Sequence, residues 1–96
     1  PPHYIGPNAD IKRSFITQGC MIDGEVKNSV LFTSAKIDTG ARVIDSVLMP
    51  GVIVEAGAVV QRALVADGVR IGKNAVVGSP DSEHIELVAK RVKGAE

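Results

Sequence analysis

The chain has 96 residues with eleven basic and eleven acidic side chains, so its formal net charge is zero and bulk charge gives no argument for a nucleic-acid or membrane-surface partner. It contains no run near the ~20 apolar residues of a transmembrane helix and no signal-peptide pattern, and its single cysteine excludes an internal disulfide. Apolar residues make up 45% of the chain, yet only three residues are aromatic and ten are glycine, which favours short, closely stacked strands over a helix bundle. The chain begins at Pro1 rather than Met, and we expect it to be a fragment of a longer protein.

The predicted strands recur with a fixed period along the chain. The first segments open with Ile5, Ile11 and Ile16, and Ile22 then opens a shortened segment, IDGE, that lacks two residues. From Val26 onwards the pattern repeats every seventeen residues, as VKNSVLFTSAKIDTGAR, VIDSVLMPGVIVEAGAV and VQRALVADGVRIGKNAV. Each copy divides into segments of five, six and six residues that open with an aliphatic residue, and a small or slender residue stands two positions before each opener. The openers are Val26, Leu31, Ile37, Val43, Leu48, Val54, Val60, Val65 and Ile71, and the small residues are Ser29, Ala35, Ala41, Ser46, Val52, Ala58, Ala63, Val69 and Ala75.

This periodicity predicts one all-β domain over residues 1–96, built as a parallel β-helix of hexapeptide repeats. A small residue, any residue and an aliphatic residue form a short strand whose two ends point inward, and the Gly, Asn and Asp between strands suit tight corners. Three strands and three corners make a triangular coil, and stacked coils pair strand on strand about 4.8 Å apart. We expect about four coils over residues 5–78, an irregular tail over 79–96, and left-handed coiling, which is associated with this class of motif. The alternative is a β-sandwich, whose strands rarely keep one register three times over.

The predicted coils lack the side chains that catalysis would need. Both histidines, His3 and His84, lie outside the regular coils, whereas acyltransferases of this architecture need a histidine base on a coil wall and related carbonic anhydrases need several as zinc ligands. No Ser/His/Asp grouping and no CxxC pair stands out. Cys20 occupies a small inward position and is predicted to be an apolar filler. The sequence therefore predicts no catalytic residue, no metal site and no cofactor in this chain.

One outer face of the predicted prism is apolar in coil after coil. Within each strand the middle residue faces outward, as does the residue after the opener. On two walls these positions are mostly charged or mixed, but on the third they are apolar, and contiguous apolar patches of this kind mark contact surfaces. The predicted interface residues are Phe15, Val30, Phe32, Val47, Met49 and Leu64. The alternative is that the C-terminal tail folds back over this face.

Three stretches, PPHYIGPNADIKRSFITQGCMIDGEVKNSVLF, VIDSVLMPG and VQRALVADGVRIGKNAVV, resemble the C-terminal β-helix domain of bacterial glucose-1-phosphate adenylyltransferases. The resemblance implies a cytoplasmic enzyme that converts ATP and glucose 1-phosphate to ADP-glucose and pyrophosphate in glycogen biosynthesis. It places the chemistry and Mg²⁺ in an N-terminal catalytic domain whose motifs are absent here. It also implies that the β-helix packs against that domain, takes part in a homo- or hetero-oligomer, expected to be a tetramer, and contributes to allosteric regulation.

Two positions carry the regulatory part of this resemblance. Lys90, in the segment IELVAK, matches a lysine that binds phosphorylated effectors, and Asp67 stands where a second basic residue is expected. The spacing of residues 85–92 fits either a helix or a strand, and the resemblance favours a strand. Lys90 as an ordinary solvated lysine stays an open alternative. Two other functions also stay open: a hexapeptide acyltransferase domain that takes its histidine from elsewhere, and a self-associating structural β-helix.

Overall fold

The computed structural model describes residues 3–95, so the ends of the predicted 1–96 domain lie outside it. Fifteen strands of two or three residues account for all the regular structure of this range. They are β1 (Tyr4–Ile5), β2 (Asp10–Lys12), β3 (Phe15–Ile16), β4 (Met21–Ile22), β5 (Glu25–Lys27), β6 (Val30–Leu31), β7 (Lys36–Ile37), β8 (Arg42–Ile44), β9 (Val47–Leu48), β10 (Ile53–Val54), β11 (Val59–Gln61), β12 (Ala63–Val65), β13 (Arg70–Ile71), β14 (Val76–Val77) and β15 (Glu86–Val88). Within residues 3–95 no helix has the length and apolar character needed to cross a membrane.

Every third strand belongs to the same parallel sheet. Sheet A holds β1, β4, β7, β10 and β13; sheet B holds β2, β5, β8, β11 and β14; sheet C holds β3, β6, β9, β12 and β15. One passage through the three sheets is a coil, so coil 1 is β1–β3 and coil 5 is β13–β15. Lys36 pairs with Ile53 and Ile53 with Arg70, which is the seventeen-residue spacing that the sequence predicts. The expected parallel β-solenoid of about four regular turns is confirmed.

The core is a stack of the predicted inward residues. All openers from Ile22 to Ile71 are at most 1% exposed, and the small residues between them are buried as well. Each fully buried aliphatic side chain stabilises the fold by roughly 1.5–3 kcal/mol. Cys20 lies in this core with its Sγ 3.2 Å from the carbonyl oxygen of Phe32, as expected of a small filler.

A ladder of serines supports the corner between sheets B and C. Ser14, Ser29 and Ser46 each follow a residue with positive φ, and each hydroxyl donates to the carbonyl two residues earlier, at 2.7–2.8 Å. Each hydroxyl also accepts a hydrogen bond from a backbone amide of the next coil, at 3.1 Å. Ser29 N donates to Ser14 Oγ, Ser46 N to Ser29 Oγ, and Ala63 N to Ser46 Oγ. The serines therefore satisfy buried amides that the left-handed corner leaves without a backbone partner.

Two irregularities change the length of a coil. Met21 pairs with Lys36 only fifteen residues later, because the corner at Gly24 lacks two residues. A β-carbon at Gly24 would lie 2.5 Å from the carbonyl oxygen of Ala41, so only glycine fits this shortened corner. In coil 5, Leu87 pairs with Leu64 across twenty-three residues, because six additional residues separate β14 from β15.

Candidate assembly face

Sheet C carries a continuous apolar column on its outer side. Each of its strands points one residue outward, and the register stacks these residues directly above one another. The outer column is Phe15, Val30, Val47, Leu64 and Leu87. A second column, one position after each inward opener, contains Thr17, Phe32, Met49, Ala66 and Ala89. We call these two columns together the assembly face.

The assembly face is open to solvent within the described chain. Phe15 is 65% exposed and Leu87 70% exposed, Phe32 and Leu64 are also exposed, and the valines between them are half-buried by their neighbours. An outward apolar side chain at every rung differs from the scattered single residues of an ordinary surface. All six predicted interface residues lie on this one face, while their role in an interface stays a prediction.

Leu87 is a member of the face that the sequence reasoning missed. Glu86 occupies the position where the repeat has a small residue, and the six additional residues before β15 break the phase of the pattern. The sequence signal that remains for this strand is the adjacent pair Leu87 and Val88, of which Leu87 points outward and Val88 inward. The alternatives for the tail, a helix and a segment folded over the face, are both wrong, because β15 adds a fifth strand to the edge of sheet C.

A shallow apolar cleft occupies the C-terminal half of the face. It has a volume of about 360 Å³ and is lined by Met49, Leu64, Ala66, Asp67, Leu87, Val88 and Ala89. Asp67 is its only charged residue and lies exposed in the turn after β12. The cleft is therefore suited to an apolar side chain of a partner rather than to an anion.

The outer sides of sheets A and B carry ion pairs instead. Arg42 Nε lies 2.7 Å from a carboxylate oxygen of Glu25, and Lys27 Nζ lies 3.1 Å from the other oxygen. The hydrogen bond from Arg42, followed by that from Lys27, lowers the pKa of the Glu25 carboxyl from its ordinary value. On sheet A, Arg70 lies 2.5 Å from Glu55 and lowers the pKa of that carboxyl in the same way. The outward apolar residues of these two walls are interrupted by charged ones, which leaves sheet C as the wall with a continuous apolar column.

A polar cluster holds the shortened corner. Thr39 donates its hydroxyl to Asp23 at 2.6 Å, and the backbone amide of Asn8 donates to the other carboxylate oxygen at 2.9 Å. These hydrogen bonds, that from Thr39 first, lower the pKa of the Asp23 carboxyl. Asp23 thus ties coil 1 and coil 3 to the corner where two residues are absent.

Lys90 is exposed two residues after β15. It lines a cleft of about 510 Å³ at the C-terminal end of the prism, together with Glu86 and apolar residues of β14 and β15. Asp67 does not line this cleft. His3 and His84 are exposed and lie outside the coils, and residues 3–95 contain no group of three or more His, Cys, Asp or Glu that could hold a metal ion.

The comparisons with known proteins agree with this architecture. A family model described as the GlmU-like C-terminal hexapeptide matches residues 5–93, which is nearly the whole chain. The chain belongs to the GlmU-like C-terminal hexapeptide family. Membership in this hexapeptide family accounts for the short strands, the aliphatic openers and the parallel coils.

Several curated relatives of this hexapeptide chain carry one name, glucose-1-phosphate adenylyltransferase. The protein of Acetivibrio thermocellus is 37% identical over 87 residues, which cover 91% of this chain and 20% of the relative. The protein of Bacillus cytotoxicus is 38% identical over 93 residues, covering 96% of this chain and 25% of the relative. The protein of Bacillus thuringiensis is 40% identical over 77 residues, which cover 80% of this chain and 20% of the relative. The chain therefore spans a fifth to a quarter of the length of the curated relatives it matches.

Proposed function

We propose that this chain is the C-terminal β-helix domain of a cytoplasmic glucose-1-phosphate adenylyltransferase. The observation that supports this most is the run of relatives with that name, which match 80–96% of the chain. The parent protein would convert ATP and glucose 1-phosphate to ADP-glucose and pyrophosphate. Its remaining part would supply the catalytic residues and hold Mg²⁺, since residues 3–95 offer no metal-binding cluster.

The activity has a direct test. The full-length parent should release pyrophosphate from ATP only when glucose 1-phosphate is present, and the 96-residue chain alone should release none. Acetyl transfer by the full-length parent, without pyrophosphate release, would instead support the hexapeptide acyltransferase. If the parent has neither activity, the self-associating structural β-helix is the function that remains.

We further propose that the assembly face packs against a second copy of the parent and so helps to build an oligomer, expected to be a tetramer. Five strands spaced by about 4.8 Å and two outward positions per strand give a face on the order of 300 Å². Two copies that pack through this face would bury on the order of 600 Å² in total, whereas a stable interface buries about 1,200–2,000 Å². The face alone therefore supports weak self-association, and we expect a stable oligomer only when the rest of the parent adds contacts.

Sedimentation of the full-length parent tests this role. Phe32→Glu places a charge in the second column of the assembly face. It should shift the parent to a smaller oligomeric state. Ile53→Glu is the matched control, because Ile53 is an outward, half-buried apolar residue on sheet A. The control should sediment as the unmodified parent does. If both variants keep the native sedimentation coefficient, the assembly face is not an interface.

A second role, effector binding at Lys90, is favoured by its position on the cleft at the C-terminal end. A primary ammonium beside a concave surface suits a phosphorylated metabolite. Lys90→Ala should raise the activator concentration needed for half-maximal stimulation of the full-length enzyme, while Lys36→Ala, which removes an exposed lysine from sheet A, should not. An unchanged activator requirement in Lys90→Ala would make this residue an ordinary surface lysine.

A further inference from the structure

The corner that lacks two residues leaves a notch in the side of the prism. Coils 1 and 3 carry exposed turns between sheets A and B, at residues 6–9 and 38–41, whereas coil 2 passes the same corner with Asp23 and Gly24 alone. A hollow of about 420 Å³ lies between the two turns. We call it the corner notch, and its lining includes Asn8 and Asp10 of coil 1, Gly24 and Glu25 of coil 2, and Thr39 and Arg42 of coil 3.

Asp23 holds the two turns at a fixed separation. One of its carboxylate oxygens accepts the backbone amide of Asn8 at 2.9 Å, and the other accepts the hydroxyl of Thr39 at 2.6 Å. The layer that is absent between the turns is one strand spacing thick, about 4.8 Å. Because both turns are anchored to one carboxylate, the slot exists before a ligand enters it, which favours binding.

One carboxylate of the notch has no cation partner within residues 3–95. Asp10 pairs in register with Glu25, so their side chains lie one rung apart on the outer side of sheet B. Glu25 is compensated by Arg42 and Lys27, whereas Asp10 is exposed and belongs to none of the ion pairs of this range. Like charges at opposed positions of two strands repel each other. The Asp10 carboxylate is accordingly available to accept hydrogen bonds from a ligand.

The mixed charge of the lining disfavours a simple ion. An anion in the notch would face the carboxylates of Asp10 and Glu25, and a cation would face the guanidinium of Arg42. Arg42 donates its Nε–H to Glu25 at 2.7 Å, and its other N–H groups are additional donors. A hydroxyl group both donates and accepts. A neutral ligand with several hydroxyls therefore satisfies Asp10 and Arg42 together.

We propose that the corner notch binds a neutral carbohydrate. A sugar ring is comparable in thickness with the absent strand layer, so it fits between the turns of coil 1 and coil 3. Its hydroxyls donate to the Asp10 carboxylate and accept from Arg42 and from the side-chain amide of Asn8. The inference goes beyond the proposed function and does not depend on it, since the whole notch lies within this chain.

The affinity of the notch for a short oligosaccharide should be low. Small-molecule sites are usually deep and lined mainly by apolar side chains, with few polar groups. The corner notch is shallow and mostly polar, and its apolar surface comes from Ala41 and from the glycines Gly24 and Gly40. We expect a dissociation constant of about 1 mM or weaker.

Amide chemical shifts of the ¹⁵N-labelled 96-residue chain test the proposal. The probes are three uncharged trisaccharides: maltotriose, mannotriose and triacetylchitotriose. At least one of them should shift the amides of Asn8, Gly24 and Gly40 saturably, while the Ala66 amide, on sheet C, should not move. If none of the three shifts the notch amides at concentrations up to about 50 mM, the proposal is wrong.

A matched pair of substitutions tests whether Asp10 contacts the sugar. Asp10→Asn keeps the shape of the side chain but replaces a charged acceptor by a neutral one, and hydrogen bonds to charged groups are roughly twice as strong. It should weaken binding about fivefold or more. Asp45→Asn, at an exposed position of the corner between sheets B and C, should leave the dissociation constant unchanged. Equal dissociation constants for the two variants would place the sugar outside the notch and overturn the proposal.

Charged probes separate the other possible ligands. Inorganic phosphate and spermidine are titrated into the same chain, and neither should shift the notch amides saturably. A response to phosphate without one to the trisaccharides would make the notch an anion site, and a response to spermidine alone would make it a cation site. Either outcome contradicts the proposal. Pyrophosphate release by the full-length parent reports on the proposed function separately, so the two can fail independently.

Discussion

Replacing one buried hydroxyl of the serine ladder should destabilise the whole domain. In Ser46→Ala the Ala63 amide loses the hydroxyl oxygen that accepts its hydrogen bond at 3.1 Å, in a buried region where Ser46 is 2% and Ala63 1% exposed. The carbonyl of Ile44 loses the serine hydroxyl at 2.8 Å but keeps the amide of Arg62 at 3.0 Å. The cost is therefore that of one buried unsatisfied amide, about 1–3 kcal/mol.

Urea unfolding of the 96-residue chain, followed by far-ultraviolet circular dichroism, measures this cost. A slope of roughly 1–2 kcal/mol per molar urea converts it to a fall in midpoint of about 1 M, with the slope unchanged. Ser34→Ala is the control, because Ser34 lies exposed in the turn after β6, and its free energy of unfolding should change by less than about 0.5 kcal/mol. If the Ser46→Ala midpoint coincides with that of the control, the hydroxyl does not satisfy the Ala63 amide and the ladder is wrong.

Three other predictions concern the shortened corner, the ion pair on sheet B and the face. Gly24→Ala should destabilise the chain by about 1–3 kcal/mol, because the new β-carbon would press on the Ala41 carbonyl; an unchanged urea midpoint would show that the corner can relax. Because the pKa of Glu25 is lowered in the folded chain, the ionised carboxylate stabilises the fold above its unfolded pKa near 4.5, and this stabilisation is lost as pH falls through the folded pKa. Glu25→Gln should therefore flatten the dependence of the free energy of unfolding on pH below pH 5. Parallel pH curves for the variant and the unmodified chain would contradict this. Leu87→Asp should weaken sedimentation-detected association of the parent as Phe32→Glu does, whereas Glu86→Asp, at the neighbouring position of β15, should not; equal behaviour of the two would exclude β15 from the face.

The core could be predicted from the sequence because its signal is local and repeated. The aliphatic opener of each segment points to the axis, and the small residue two positions earlier lies where the walls are closest. The spacing alone therefore predicts that Leu31 and Ala35 are buried, as they are in the structure. The outer column follows from the same alternation. The spacing by itself places Phe15, Val30 and Leu64 on one face.

The remaining features depend on geometry that spacing does not contain. Ser29 and Ser46 are recognisable as small residues, but their hydrogen bonds exist only because the preceding Asn28 and Asp45 adopt positive φ. Leu87 escaped prediction because an insertion resets the phase, and only pairing with β12 restores it.

The six additional residues between β14 and β15 show a corner at which this architecture tolerates an insertion. The backbone leaves the prism after Val77 and returns to sheet C in register at Glu86, and the strands on either side keep their pairing. Each coil touches only its neighbours, so a detour at a corner near the end of the stack changes no other rung. This corner is accordingly a suitable attachment point for a tag, a fluorophore or a linker that leaves the rest of the domain intact.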